Sequence, residues 1–590
     1  MTALEDMVLV PRPRHIEAMG AGPRAEGVPV GTAAGPDVAQ EGFRLTITEA
    51  DGVRIDHSDP AGLRYAQQLL DQIRSQASDD RLPALRVEDE PDIAVRGFML
   101  DISRDRVPTK PTVERLVELM SLARLNQLQL SMEHTYAYLA HREVWSDASP
   151  MTPAHIGWLD ELCARHGIEL VPHQTTFGHM GRWLAHDSYR ERAECPDGWE
   201  LMPGVTVPPT VLAATPDNAA FVNDLLAELL PAFGSRQVHI GGDEPFELGF
   251  GASASAVAEK GLGRVYLDHL RRIVDPLLAD GYAMQIWADV LRRHPEVAGD
   301  LPDGVTPIAW CYEAPPPDGR PVEIPDDLLP VLDRLGAGPD TFSGFAHNVA
   351  PLADAGIPFW VAPGTSSWNS LVGRIDNARA NLIDAAEQAR TNDASGYLIT
   401  DWGDNGHHQP PSVSFGPLVY GGAVAWGLDA NRDLDLDAVL DRHVFADPTG
   451  RVSTALDSLG HQWACTGQRA INSSPLAAAL FPDQLHLVLG QADPDSVRAV
   501  VEEIDAALTL LAGVEPADRE GQMTVAELTV AARMARHGAW RLVGDEGPTQ
   551  AERANDMAEI VEGYSICWLD RARPGGLSDS LARLDPAALS

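Results

Sequence analysis

The sequence predicts an α/β protein built on a (β/α)8 TIM barrel, with a small α+β domain before it and an α-helical domain after it. Three observations lead there. The chain has 590 residues, too many for one ordinary hydrophobic core. Between residues 91 and 430, apolar strand-like runs alternate with helical stretches, and eight such runs are found. The residues that follow these runs are rich in carboxylates, histidines and tryptophans, and a barrel places its chemistry at the C-terminal ends of its strands.

The expected domains are 1–90, 91–430 and 431–590. In the first, 44–48 alternates as a strand does, Ala50-Asp51-Gly52 marks a turn, and 53–56 can pair back. A helix follows over 61–73, with Leu63, Ala66, Leu69, Leu70 and Ile73 on one face and Pro60 at its start. The barrel strands are expected at 94–102, 127–132, 168–173, 237–240, 283–287, 306–310, 358–362 and 396–400. The helices are expected at 112–125, 153–166, 219–230, 262–280, 326–335, 375–390 and 415–426; the link after Trp287 has no clear helix. After Trp426 the strand rhythm stops. Helices are expected over 434–445, 453–468, 495–513, 523–543 and 551–569, in a domain that packs on the barrel and could carry a homodimer interface.

Composition narrows the function. Hydrophobic residues are 44% and charged residues 22%, a normal globular balance, and no run of 18 apolar residues suggests a membrane span. The N-terminus lacks the basic-then-apolar order of a signal peptide. A formal net charge of −41 argues against nucleic acid and anionic membranes as partners. The only lysines are Lys110 and Lys260. Cys163, Cys195, Cys311, Cys465 and Cys567 are scattered and without metal-binding spacing, so reduced thiols in a cytoplasmic protein are expected.

The decisive stretch is 236–247, RQVHIGGDEPFE. Val238, His239 and Ile240 end a strand, Gly241 and Gly242 break it, and Asp243 and Glu244 follow at once. Glycine suits a sharp turn or the close approach of a ligand. Two crowded carboxylates repel, so one can hold a proton near neutral pH. Around them the other strand ends carry Asp101, Ser103 and Arg104; Glu133 and His134; His179; Trp287 and Asp289; Trp310, Tyr312 and Glu313; Trp368; and Trp402, Asp404, His407 and His408. Flat aromatic faces stack on a pyranose and carboxylates bind its hydroxyls, so this rim suits a sugar.

These residues resemble glycoside hydrolase family 20, the β-N-acetylhexosaminidases. His239-Ile240-Gly241-Gly242-Asp243-Glu244 is similar to its H-x-G-G-D-E signature, and 96–104 (RGFMLDISR) to its first barrel strand, R-G-x-x-L-D-x-S-R. Phe177-Gly178-His179 resembles the family's P-G-H turn, and Trp402-Gly403-Asp404 its W-G-E. The resemblance spans about 40–430. It implies a retaining, exo-acting enzyme without metal or organic cofactor, in which the 2-acetamido oxygen of the substrate attacks C1, an exception to the two-carboxylate scheme. It assigns Glu244 as general acid and base, Asp243 as partner of the acetamido N–H, and Arg96 as a ligand of sugar hydroxyls. Trp287, Trp310 and Trp402 would wall the pocket, Asp404 would bind a ring hydroxyl, and His179 would belong to the relay behind the acid.

The pattern departs from the family at three strand ends. Strand two reads Met132-Glu133-His134-Thr135 in place of paired aspartates. The strand-seven Y-x-D becomes Trp368-Asn369-Ser370, with Tyr312 a candidate for the missing tyrosine. Strand eight has Asp for Glu. All three touch sugar recognition, leaving GlcNAc, GalNAc and substituted forms open as the terminal N-acetylhexosamine. Three other readings stay open at the sequence level. One is a metal site using His179, His239, Asp243 and Glu244. Another is a non-catalytic sugar-binding barrel. The third is a glycosidase with a separate nucleophile among Glu133, Glu313 and Asp404.

Overall fold

The computed structural model describes residues 6–78, 80–104, 106–484 and 486–584. The outer ends of the first and last expected domains, 1–5 and 585–590, lie outside the described residues. All five cysteines are free.

The N-terminal sheet has five strands, in spatial order His15–Arg24, Arg81–Asp89, Phe43–Thr48, Gly52–His57 and Val30–Ala34. Along Phe43–Thr48 burial alternates with the pleat, so Phe43, Leu45 and Ile47 face the helix Pro60–Ser75. Asp59 caps that helix by accepting the Gly62 amide, and Pro60 takes its first position. The 44–48 and 53–56 strands and the helix stand where the sequence indicated. The strands His15–Arg24, Val30–Ala34 and Arg81–Asp89 are additions. Val30–Ala34 is exposed throughout, so it carries no hydrophobic period to read.

The barrel closes with eight parallel strands: Val95–Asp101, Gln127–Met132, Glu169–Gln174, Gln237–His239, Ala283–Trp287, Val305–Trp310, Trp360–Ala362 and Gly396–Asp401. Its interior is divided. On one side Met99, Trp287, Ile308, Trp360, Ala362 and Leu398 pack as an apolar cluster. On the other a chain of amides crosses the lumen: Gln129 donates to Gln285 (2.8 Å) on a non-adjacent strand, and Gln285 to Gln237 (2.9 Å). The expected helix at 326–335 is shortened to Leu329–Arg334 and lies in the connecting loop; the helix that packs on the sixth strand is Phe345–Asp354. Its start escaped the sequence because its cap is tertiary. The Phe345 amide donates to Asp384 of the helix Ile375–Thr391, at 2.6 Å. After Trp287 only the short helices Asp289–Arg293 and Pro295–Ala298 follow.

The C-terminal part is helical, led by Pro494–Ala512, Arg519–Val543 and Gln550–Arg571. It adds a small strand pair, Arg469–Ile471 with Leu487–Leu489, that the sequence did not announce. It also braces the barrel rim: Ser580 Oγ donates to the Gly406 carbonyl (2.6 Å), and Arg106 of the barrel lies over the Trp568 ring.

Two buried arginines join the first domain to the barrel floor. Arg96 pairs with Glu41 at 2.5 Å and donates to the carbonyls of Ile93, Ala94 and Arg124. Arg124 pairs with Asp89 at 2.6 Å and stacks over Trp426, whose Nε1 donates to the same Asp89. Arg96 therefore does not bind sugar hydroxyls. It is the second residue of its strand and sits at the N-terminal end of the barrel, opposite the rim. Removing one partner of such a pair strands a buried charge. Asp89→Ala is expected to lower the unfolding free energy by about 3–5 kcal/mol, measured as a drop in the denaturant midpoint. A loss of only a few tenths would show that Arg124 is held by its aromatic and backbone contacts instead.

Candidate active site

The fourth strand, Gln237–His239, ends in a turn that a side chain would hinder. Gly241 and Gly242 have φ of +66° and +85°, and Glu244 itself is left-handed at +48°. Directly opposite, Gly178 lets the strand-three loop lie against this turn, since a Cβ there would fall 2.3 Å from the Asp243 carbonyl oxygen. That approach delivers His179. Its Nε2 stands 3.2 Å from Asp243 Oδ2 and 3.3 Å from Glu244 Oε2. Burial alone would lower the His179 pKa, but the Asp243 charge and the bonds to both carboxylates raise it well above the ordinary value. The ring is therefore an imidazolium at neutral pH. In return, against the upward push of burial, His179 draws the Asp243 pKa down, so Asp243 is an anion.

Arg104 organises the other flank. It follows the first strand and pairs with Asp101 (2.9 Å) and Glu133 (3.4 Å), its guanidinium 5.7 Å from the Trp402 ring. Burial would raise the Asp101 pKa, yet Arg104, His407 and the Ser103 and Gly403 donors hold it at about 2. Burial dominates at the neighbouring carboxyls: Glu133 is raised, and Asp404 is pushed up to about 6, in each case against the Arg104 charge. Asp404 Oδ2 also accepts from Asn369 Nδ2 at 2.9 Å.

The tryptophans build the walls. Trp287 is buried, 5.9 Å from Trp402. Trp310 stacks on Tyr312 (5.3 Å, 11° between planes), Trp368 meets Tyr312 edge-on at 5.0 Å, and Trp402 Nε1 donates to the Tyr312 hydroxyl at 2.8 Å. The indole of Trp368 is tied to Asn472 of the C-terminal part. Beneath Trp287, the rings of His173 and His239 lie 3.9 Å apart, tilted by 44°, and burial keeps both neutral, His173 at about 4. Among the described residues no three His, Cys, Asp or Glu side chains are grouped as metal ligands.

The structure thus brings Asp243, Glu244, Glu133, His179, Trp287, Trp310, Tyr312, Trp368, Trp402 and Asp404 to one end of the barrel and leaves Arg96 at the other. Arg104 and Asn369 also stand at this end, where the sequence reading placed them without assigning either a role. The signal for Arg104 was present: it follows the end of a strand, whereas Arg96 begins one. Asp289 also belongs, with its Oδ2 accepting the Glu244 amide. Glu313 does not. Both terminal nitrogens of Arg374 hold its carboxylate (2.8 and 3.2 Å), which also accepts the Asn472 amide.

Comparison with known proteins agrees with this geometry. The family model for the glycosyl hydrolase family 20 catalytic domain matches residues 94–313, and the model for domain 2 of that family matches 8–90. Hexosaminidase D of Homo sapiens is 26% identical over 216 residues, covering 35% of this chain and 43% of that protein. The beta-N-acetylhexosaminidase of Cellulomonas fimi is 29% identical over 221 residues, covering 35% and 44%. The chain spans less than half the length of these relatives. The fold is shared with the chitobiase of Flavobacterium johnsoniae, at 13% identity and TM-score 0.54 over 95% of this chain and 96% of that one. It is shared also with the β-N-acetylhexosaminidase of Streptomyces coelicolor, at 18% identity and TM-score 0.51 over 77% and 95%. An Asp-Glu pair on a two-glycine turn, inside a barrel whose first six strands and leading domain both match, means that this chain belongs to glycoside hydrolase family 20.

Proposed function

We propose that this protein is a retaining exo-β-N-acetylhexosaminidase that removes terminal β-linked GlcNAc or GalNAc by substrate-assisted catalysis. One observation carries the reading: adjacent Asp243 and Glu244 share the single imidazolium of His179. Neighbouring residues on one strand end cannot straddle an anomeric carbon, as a nucleophile and acid on opposite faces must. Neither is assigned the attack on C1, and the nucleophile comes from the substrate. The acetamido oxygen attacks C1 as Glu244 protonates the departing glycosidic oxygen, breaking the C1–O bond and forming an oxazolinium. Asp243, anionic beside His179, accepts the acetamido N–H and offsets the positive charge. Glu244, now a carboxylate, takes a proton from the water that opens the oxazolinium and returns to its acid form. Trp287, Trp310, Trp368, Trp402 and Tyr312 enclose the sugar, while Arg104, Glu133 and Asp404 bind its hydroxyls. A separate carboxylate nucleophile finds less support, because Glu313 is committed to Arg374.

Hydrolysis of aryl β-GlcNAc and β-GalNAc is the direct test. Asp243→Asn and Glu244→Gln are each expected to lose about two or more orders of magnitude in kcat; full activity in Glu244→Gln would defeat the proposal. The GlcNAc to GalNAc ratio reads what the altered strand ends select. His179→Asn removes the cation that keeps Asp243 ionised. The Asp243 pKa should then rise, and the acidic limb of the kcat/KM profile should move to higher pH; an unmoved limb would separate His179 from Asp243. Arg104→Ala should lower kcat/KM by about 10–100-fold, as the loss of a charge-assisted hydrogen bond does, and should also lower the thermal midpoint, because it strands the buried Asp101 carboxylate. Unaltered steady-state kinetics in that variant would place sugar binding elsewhere.

A further inference from the structure

The strand-four turn has a strained acid at its centre. Glu244 carries a side chain at φ +48°, a backbone region costly to any residue with a Cβ. Such a conformation persists only where the surroundings over-determine it. Within the turn the Phe246 amide donates to the Glu244 carbonyl at 2.8 Å, while the contact on the Glu244 amide comes from another strand end. Asp289, two residues beyond the fifth strand, accepts that amide on Oδ2 at 3.1 Å. Its other oxygen, Oδ1, is sealed from solvent and has no hydrogen-bond partner among the described residues. An isolated buried carboxyl oxygen is expensive, so the group has a use beyond packing.

The groups facing Asp289 define its state. Asp243 and Glu244 approach from the fourth strand, Arg292 from its own short helix, and Tyr266 from the helix Leu262–Ala279, its hydroxyl also without a partner. Burial and then the Asp243 charge push the Asp289 carboxyl up to about 7. Near neutrality the group therefore accepts the Glu244 amide without placing another full charge beside the pair.

We infer that Asp289 is a positioning residue for the acid. Its carboxyl oxygen anchors the Glu244 amide, and this bond fixes the left-handed turn that aims the Glu244 carboxyl at the leaving oxygen beside His179. The inference rests on the reading of Glu244 as the general acid. Asp289 touches no reacting atom.

A misaimed acid matters only where the leaving group needs its proton. The test therefore compares two β-N-acetylhexosaminides, one with an alkyl leaving group and one with dinitrophenolate, in wild type, Asp289→Ala and Asp289→Asn, with thermal melts of each. Asp289→Ala should lose at least about tenfold in kcat on the alkyl glycoside and less than about threefold on the dinitrophenyl one, since general acid catalysis supplies about 10²–10⁴-fold where it is needed. Asp289→Asn keeps an acceptor oxygen and should stay within about threefold of wild type on both, as a retained hydrogen bond predicts. An equal loss on the two substrates, an Asn variant as impaired as the Ala variant, or an unaffected Ala variant would each overturn the inference. A wild type inactive on both glycosides would overturn the proposed function and this inference together; an active wild type with an unaffected Ala variant overturns this inference alone.

Discussion

Charge crowding at one end of the barrel is the constraint on which the site depends. Asp101, Glu133, Asp243, Glu244, Asp289 and Asp404 converge there, and Arg104 and His179 stand among them. Each cation holds one neighbouring carboxylate ionised, and burial governs others. Arg104 keeps Asp101 ionised at about 2 while burial leaves Asp404 near 6. His179 keeps Asp243 anionic, and at Asp289 burial and the Asp243 charge outweigh Arg292 and bring the carboxyl near 7. Carboxyls of one chemical type are thereby spread over a wide range of acidities within a single cleft, which is how a site holds an acid and an anion side by side at one pH.

The flanking domains contact both ends of the barrel that carries this crowding. At the floor, Arg96 and Arg124 with Glu41, Asp89 and Trp426 bind the first domain to the barrel. At the rim, residues 472–474 of the C-terminal part clamp the strand-seven loop. Asn472 accepts the Trp368 indole N–H and donates its amide to Glu313, while the Ser474 amide donates to the Asn369 carbonyl. Asn369 then reaches Asp404. One of the three strand ends that depart from the family pattern is thus held by the C-terminal part. The partners of the Trp368 and Asn369 side chains lie far along the chain, at Asn472, Asp404 and Asn405.

Much of the barrel was legible because its signal is local. A buried parallel strand reads as an apolar run, the helix Pro153–His166 carries its own capping box, and Leu262–Ala279 its own apolar period. The strands missed in the first domain lack that signal, since Val30–Ala34 is solvent-facing and joins the sheet only through its pairing with Gly52–His57. The helix Phe345–Asp354 was missed for the related reason that Asp384 caps it from afar.

By itself the sequence determined the barrel and the identity of its central pair, because Gly241-Gly242-Asp243-Glu244 is contiguous and its turn is dictated by residues lacking a Cβ. Only the tertiary structure decided which arginine serves the site, which carboxylates are free and what state each holds. Arg96 and Arg104 are eight residues apart and look alike in a motif, yet the strand between them carries one to the floor and the other to the rim. Glu313 and Glu133 both end strands, but Arg374 neutralises one and the cleft keeps the other. Charge interactions act through space over a few ångströms, and the chain order records none of those distances until the barrel closes.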